Sequence, residues 1–436
     1  MPENEMEYRS SDAPKKAGRN LREVVRRMLY GGLLALLIAS VVYLFVVAQR
    51  DRRRMAGLYL QRAKVALTHD EFEKASEELK NASLEDPANR EILKEQLKTE
   101  IFQFTSRADS LQQLLDFEKL NKAEQDCKNL LSNDAGNSEL LALLGLIYSH
   151  KDQPILAMQT FESAAQLAPR YANVRNYWAY SAYQWKYPAD WQQLVPKKLN
   201  EAKEIDPAYL PPKINLARLE TDAGKKFAEV GQIPLAESSF GKAIKILDEA
   251  QAVKDNKENL YIMWAITLDE WGRALENTQK VEAYQKYAES LEKYRLADSI
   301  NPNRALIHFN KANALADYSV NDTDDAIREY VRALELDPTL YWAHVGIAVL
   351  LANRPNASWR DFEEASTHLE KAIALESQMV KQYEVRKIAA DTHARNMLDD
   401  WTERRNDQIC QFRRMLESAH NKQALKEEPC PAPARK

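Results

Sequence analysis

The chain has 436 residues, enough for two or three ordinary domains or for one long repeat array. With 11 glycines and 17 prolines beside abundant Ala, Leu, Glu and Lys, it is poor in turn formers and rich in helix formers, which excludes a fold built on tight β-turns and predicts an all-α protein. The net charge is −4, with 11 Lys/Arg against 6 Asp/Glu in residues 1–54, so the remainder carries −9 and lacks the cationic field that nucleic-acid binding needs.

Residues 1–27 are polar and basic and read as a disordered tail. Residues 28–48, MLYGGLLALLIASVVYLFVVA, hold no charge and match the roughly 30 Å apolar thickness of a bilayer at about 1.5 Å rise per residue, which predicts a single transmembrane helix. Arg26 and Arg27 stop it on one side, and Arg50, Arg52, Arg53 and Arg54 on the other, where long basic side chains reach headgroups. The alternative is a secretory signal cleaved after Ala48. The run exceeds the usual signal core of ~7–15 residues and a basic cluster follows it directly, which favours a retained anchor. Lys/Arg counts near the two ends are close to parity and do not decide orientation. A long C-terminal domain translocates whatever its charge, so the body is expected on the non-cytoplasmic side, with the cytoplasmic side as the alternative.

Residues 49–377 carry an internal repeat. A small residue, a large apolar one four positions on and a small one three further recur as Ala75/Leu79/Ala82, Ala157/Phe161/Ala164, Val195/Leu199/Ala202, Ala236/Phe240/Ala243, Ser290/Tyr294/Ala297, Ala326/Tyr330/Ala333 and Ala365/Leu369/Ala372, with a degenerate copy at Ala123/Cys127/Leu130. That spacing puts each triplet on one helix face, where the small members admit a neighbouring helix. Five triplets are followed five residues later by Pro87, Pro169, Pro207, Pro302 or Pro338. Proline cannot extend the helix it follows but suits the start of the next, so each unit reads as a helical hairpin with a punctuated exit.

The clearest unit, Leu144-Gly145, Tyr148, Ala157, Phe161, Ala164 and Pro169, resembles the tetratricopeptide repeat (TPR) family at each of these positions. Trp342 with Gly346, Gly224 with Phe227, and Phe309 with Ala312 open further copies. The resemblance covers residues 56–377 and implies a right-handed α-solenoid of about eight hairpins. Successive triplets end 48, 34, 38, 41, 54, 36 and 39 residues apart, against a family period of about 34. The extra residues are expected to lengthen helices or turns at 212–234, 258–289 and 350–364, at two helical turns per seven residues. Residues 378–420 keep a helical pattern and are predicted to form a capping helix or helix pair that ends the stack, and 421–436 a disordered tail.

No phosphate loop, metal-ligand spacing or paired catalytic motif stands out. No Gly-Lys-Ser/Thr occurs, and the nearest histidines, His344 and His368, are 24 residues apart. Cys127, Cys410 and Cys430 are too far apart to be a disulfide framework or zinc site. The reading is a non-enzyme with no cofactor, no metal and no small-molecule substrate.

The resemblance implies a concave groove lined by first helices that takes up a helix or extended peptide. With Trp178 as the motif's first aromatic, Asn176, Ala179, Tyr180, Tyr183, Lys186 and Tyr187 are expected to face that groove, while Trp178, Ala182 and Trp185 pack inside. Tyr180, Tyr183 and Tyr187 are candidate partner contacts, the alternative being that they pack against an adjoining helix. Leu340, Ile347, Leu350 and Leu351 form a second, apolar candidate, with core packing as the alternative. The Lys and Asn clamp of chaperone-tail binders in this family is not matched, because Gly145, Gly224 and Gly346 are followed by Leu146, Lys225 and Ile347. The expected function is a membrane-anchored scaffold that recruits or assembles other proteins. The alternatives are a protein-import or secretion receptor and a regulatory subunit of a membrane enzyme complex such as cytochrome maturation, where the resemblance also leads.

Overall fold

A computed structural model describes residues 13–68, 71–106, 119–253, 257–318, 323–387, 390 and 392–422. All secondary structure among them is helical: α1 (Ala13–Thr68), α2 (Phe72–Glu85), α3 (Arg90–Ser106), α4 (Lys119–Ser132), α5 (Ser138–His150), α6 (Pro154–Leu167), α7 (Ala172–Trp185), α8 (Trp191–Ile205), α9 (Pro211–Glu229), α10 (Ile233–Ala250), α11 (Glu258–Leu275), α12 (Lys280–Ile300), α13 (Ala305–Tyr318), α14 (Thr323–Leu336), α15 (Tyr341–Ala352), α16 (Trp359–Lys387) and α17 (Thr392–His420).

The chain divides into two compact units, the first comprising Met1–Ala66 with Glu73–Leu93 and the second Leu67–Phe72 with Lys94–Lys436. In the first unit, α1 is one helix of 56 residues, about 84 Å at 1.5 Å per residue. It starts at Ala13, so residues 13–27, read from sequence as an unstructured tail, are helical; residues 1–12 lie outside the described residues. Every side chain from Glu23 to Met55 is exposed, including the whole apolar stretch. Further along the same helix Ala56 and Ala63, two turns apart on one face, pack against Leu79 and Ala82 of α2 and Ile92 of α3. Arg52 holds Glu85 at 3.1 Å and donates to the Leu84 carbonyl at 2.8 Å, satisfying the C-terminal end of α2. The apolar helix is therefore also the first helix of the first hairpin, with no break at residue 48.

In the second unit the helices pair in succession, α5 with α6, α7 with α8, α9 with α10, α11 with α12, α13 with α14 and α15 with α16. The fold is a TPR-like α-solenoid. All eight triplets fall on second helices (α2, α4, α6, α8, α10, α12, α14 and α16), and every triplet member except the half-buried Leu130 is buried. A ring such as Phe161, fully enclosed, contributes about 2–3 kcal/mol over its exposed state. Pro87, Pro169, Pro207, Pro302 and Pro338 each sit in the turn that leaves a second helix. In those turns the residue before proline bonds back to the last small residue, as in Asp206 N to Ala202 O at 3.0 Å and Asp337 N to Ala333 O at 2.8 Å. The Asp206 and Asp337 carboxylates then accept from the backbone of Ala208 and Thr339, an Asx-turn that fixes the exit angle.

The irregular spacing is taken up mostly by helix length. Helices α5 to α8 have 13 to 15 residues, whereas α9 to α12 have 18 to 21. A glycine-under-ring contact recurs within α5–α6, α9–α10 and α11–α12, and between α14 and α15. A Cβ on Gly145 would lie 2.6 Å from Phe161, on Gly224 2.7 Å from Phe240, on Gly272 2.7 Å from Tyr287, and on Gly346 2.5 Å from Tyr330. These positions tolerate no side chain because the facing ring already occupies its volume.

Candidate protein-interaction face

Successive first helices lie side by side: α5 touches α7, α7 touches α9, and α9 touches α11. Successive second helices make no contact of that extent among the described residues. The first helices thus line the inner, tighter side of the stack. Polar ties cross that side from helix to helix. Asn215 donates to Asn176 at 2.9 Å, the Tyr183 hydroxyl to Asp222, and the Thr221 and Thr267 hydroxyls meet at 2.9 Å. Lys225 reaches Glu270 at 3.0 Å, Glu270 pairs with Arg273 at 3.0 Å, and Arg273 pairs with Asp317 at 2.7 Å. Charge-assisted bonds in a chain of this kind fix the lateral register of helices whose apolar faces are non-directional.

Of the six inner-face residues expected on α7 and at its end, Asn176 and Ala179 are buried, Asn176 by its bond to Asn215. Tyr180 and Tyr183 are half-buried and line a narrow nook with Asn215, Arg218 and Leu219 of α9. Lys186, at the end of α7 in the left-handed region (φ 51°), is exposed. Its ammonium sits 3.5 Å from the Tyr183 ring centroid and 4.3 Å from that of Trp191, a cation held between two π faces. Although the residue is exposed as a whole, desolvation of its ammonium lowers Lys186 below its usual range, and burial raises the Tyr183 phenol, the latter reinforced by its bond to Asp222. Tyr180, Tyr183 and Lys186 form one amphipathic patch at the surface.

Tyr187 is elsewhere. Its ring lies 5.0 Å from that of His393, the first turn of α17. Trp185 is fully buried, with its indole N–H donating to the Ser149 carbonyl at 3.0 Å and its ring 5.5 Å from Trp401 of α17. Trp178, expected inside, is only half-buried and is covered by Lys198 at 4.5 Å. In the second candidate set Ile347 and Leu351 are buried and Leu340 and Leu350 half-buried, all within the apolar packing of α15 against α16 and α17. They offer no open apolar groove in this arrangement.

The C-terminal helices do more than close the last repeat. Helix α16 runs ten residues past 377 and α17 folds back along it, held by Arg405 on Glu376 at 3.0 Å and by Tyr383 against Trp401. The far end of this hairpin meets α5 to α7, where Arg386 pairs with Asp152 and His393 bonds the Trp185 carbonyl. Sequence spacing carries no signal for contacts between residues more than 200 positions apart; the only hint was the excess of aromatics between Tyr171 and Trp191. Among the described residues no three His, Cys, Asp or Glu side chains converge as a metal site. Residues 423–436, read as a disordered tail, lie outside the described residues.

No protein-family profile matches the sequence, and no characterised protein sequence matches it. Solved structures with a similar trace include the Cut9-Hcn1 hetero-tetramer of the APC/C, with a TM-score of 0.45 and 16% identity over 77% of this chain; this chain spans only 55% of that one. Yeast Tom70 is similar with a TM-score of 0.40 and 15% identity over 82% of this chain and 90% of that one. Pseudomonas aeruginosa PilF gives 0.37 and 15% over 56% of this chain and 93% of that one. All three scores lie below 0.5, so the TPR-like assignment stands on the hairpin packing described above.

Proposed function

We propose that this chain is a membrane-anchored protein-interaction scaffold that recruits or assembles partner proteins through its first-helix face. The observation that carries the reading is the continuity of α1: an uncovered apolar stretch from Met28 to Val47 that runs, without leaving helix, into the Ala56/Ala63 face packed on α2. Fifteen large exposed apolar side chains in one helical stretch are tolerated in lipid and not in water. A continuous helix also joins the anchor to the first hairpin without a flexible linker. The surface left for a partner is the Tyr180, Tyr183 and Lys186 patch, which combines rigid aromatic area with a partly desolvated cation. The body is read as non-cytoplasmic, because a long C-terminal domain translocates regardless of its charge.

The test uses a photo-crosslinker placed at Lys186 or, as control, at the exposed Ser238 on a second helix, in native membranes. Crosslinked partners at Lys186 but not Ser238, diminished by Tyr180→Ala with Tyr183→Ala, support the reading. Equal capture from both positions, or extraction of the full-length chain by carbonate wash without detergent, overturns it. Protease added to sealed vesicles of each orientation decides the side.

A further inference from the structure

The turn between α5 and α6 places Asp152 in the left-handed region (φ 61°) with its side chain fully buried. A buried carboxylate without a counter-charge is costly. Its counter-charge comes from 234 residues away: Arg386, in the last turn of α16, donates from Nε to Asp152 Oδ2 at 2.8 Å and from its terminal nitrogen to Oδ1, a two-pronged pair. His150 lies beside the pair, and burial together with the Arg386 charge lowers its imidazole to about 3, so it stays neutral and leaves the Asp152 carboxylate to Arg386. The Tyr383 ring backs the guanidinium at 5.5 Å.

One helix further, His393 Nε2 donates at 2.6 Å to the Trp185 carbonyl, which is one of the unsatisfied acceptors at the C-terminal end of α7. Tyr187 and Trp185 present their rings to His393 and Trp401. The face made by Asp152, the end of α7, Trp185 and Tyr187 is thus a formed receptor: one carboxylate, one free helix carbonyl and two aromatic surfaces.

We propose that this face is a docking site for a helix that presents an arginine followed by an imidazole or aromatic side chain, and that the C-terminal α16–α17 hairpin is its intramolecular occupant, an autoinhibitory clasp. The inference rests on reading the chain as an interaction scaffold, and the occupant seated in the site supplies the chemistry a competitor must offer. The contact consists of side chains meeting across helix ends, with a buried ion pair whose attraction is largely offset by desolvation, and its release uncovers the Trp185 ring from the apolar packing it shares with α15, α16 and α17, so a competing helix must cover that ring as well. A competing helix that brings its own guanidinium leaves Asp152 paired throughout, so neither state strands a buried charge.

The experiment uses the full-length chain in lipid nanodiscs, with Arg386→Ala, Asp152→Asn and the exchange of both charges (Asp152→Arg with Arg386→Asp). Amide hydrogen exchange is expected to rise at least tenfold in residues 392–405 and 149–153 of Arg386→Ala, with α9 to α12 unchanged, and to return toward wild type in the charge exchange. A synthetic peptide of residues 378–405 is expected to bind Arg386→Ala at least tenfold more tightly than wild type, and to lose that gain when Asp152→Asn is added. Loss of protection throughout the array in Arg386→Ala overturns the proposal, because the contact is then part of the folding core. Unchanged exchange with no peptide binding overturns it too. The peptide assay involves no native partner, so its failure is separate from failure of crosslinking at Lys186.

Discussion

The α5–α6 and α11–α12 hairpins solve one packing problem at two lengths. In the short pair Gly145 receives the ring of Phe161, the central residue of its triplet. In the long pair the ring against Gly272 is Tyr287, seven residues before the triplet's Tyr294. Seven residues are two helical turns, so the ring stays on the same face while the helix grows. Tyr294, freed from the glycine, donates instead to the buried Asp269 at 2.9 Å. Each hairpin also buries a titratable group: His150 in α5, beside the ion-paired Asp152, and Asp269 in α11. Insertion by whole turns thus preserves the close helix contact and opens room for buried polar chemistry.

Removing the rings breaks the comparison most severely. Phe161→Ala and Tyr287→Ala are each expected to cost about 3–5 kcal/mol in chemical denaturation, since both side chains are fully buried. Next come the glycines: Gly145→Val and Gly272→Val are each expected to cost about 2–3 kcal/mol by overpacking. A double-mutant cycle sharpens the point. Gly272 should couple to Tyr287 by more than about 1 kcal/mol and to Tyr294 by much less, and the reverse order would sink the two-turn shift.

The buried acid and base give pH dependences of opposite sign. Burial pushes the Asp269 carboxyl up to about 7 against the pull of Ser290, Arg273 and Tyr294. The folded state then holds a proton that the unfolded chain releases near pH 4, so this group's contribution is full below about pH 4 and is lost as pH rises through about 7. Asp269→Asn is expected to stabilise the protein by about 2–4 kcal/mol at pH 8, with the gain shrinking toward pH 4. His150 is depressed to about 3, chiefly by burial, so its contribution is present above about pH 6.5 and is lost as pH falls toward 3. His150→Gln is expected to flatten the acid limb between pH 6.5 and 4, a change of about 1–2 kcal/mol at pH 5. Melting curves of both variants across pH 4–8 read the two signs directly.

Much of the fold was legible in the sequence because it is written locally. Ala157, Phe161 and Ala164 share a face by helical geometry alone, and Pro169 must end what they begin, so eight second helices and the exits of five of them follow from spacing. Gly145 was legible for the same reason. Gly272 was not, because its ring partner lies outside the triplet register and only the length of α12 brings Tyr287 opposite it. The candidate site was legible in part: Tyr180, Tyr183 and Lys186 are grouped by one helix end, whereas Tyr187, two residues beyond the last turn of α7, leaves that group for α17. Ile347 and Leu351 could be read as groove or core on periodicity, which reports that a face is apolar and not what covers it.

The sequence by itself determined a helical repeat array with a long apolar N-terminal helix, since periodicity, small residues and prolines act within a few turns of one another. Only the tertiary structure decided that α1 continues unbroken into the first hairpin, that the α11–α12 hairpin slips its ring by two turns, and that Arg386 closes on Asp152. Those outcomes depend on which surfaces meet across many repeats, and curvature accumulated over a stack of helices leaves no mark in the spacing of residues along any one of them.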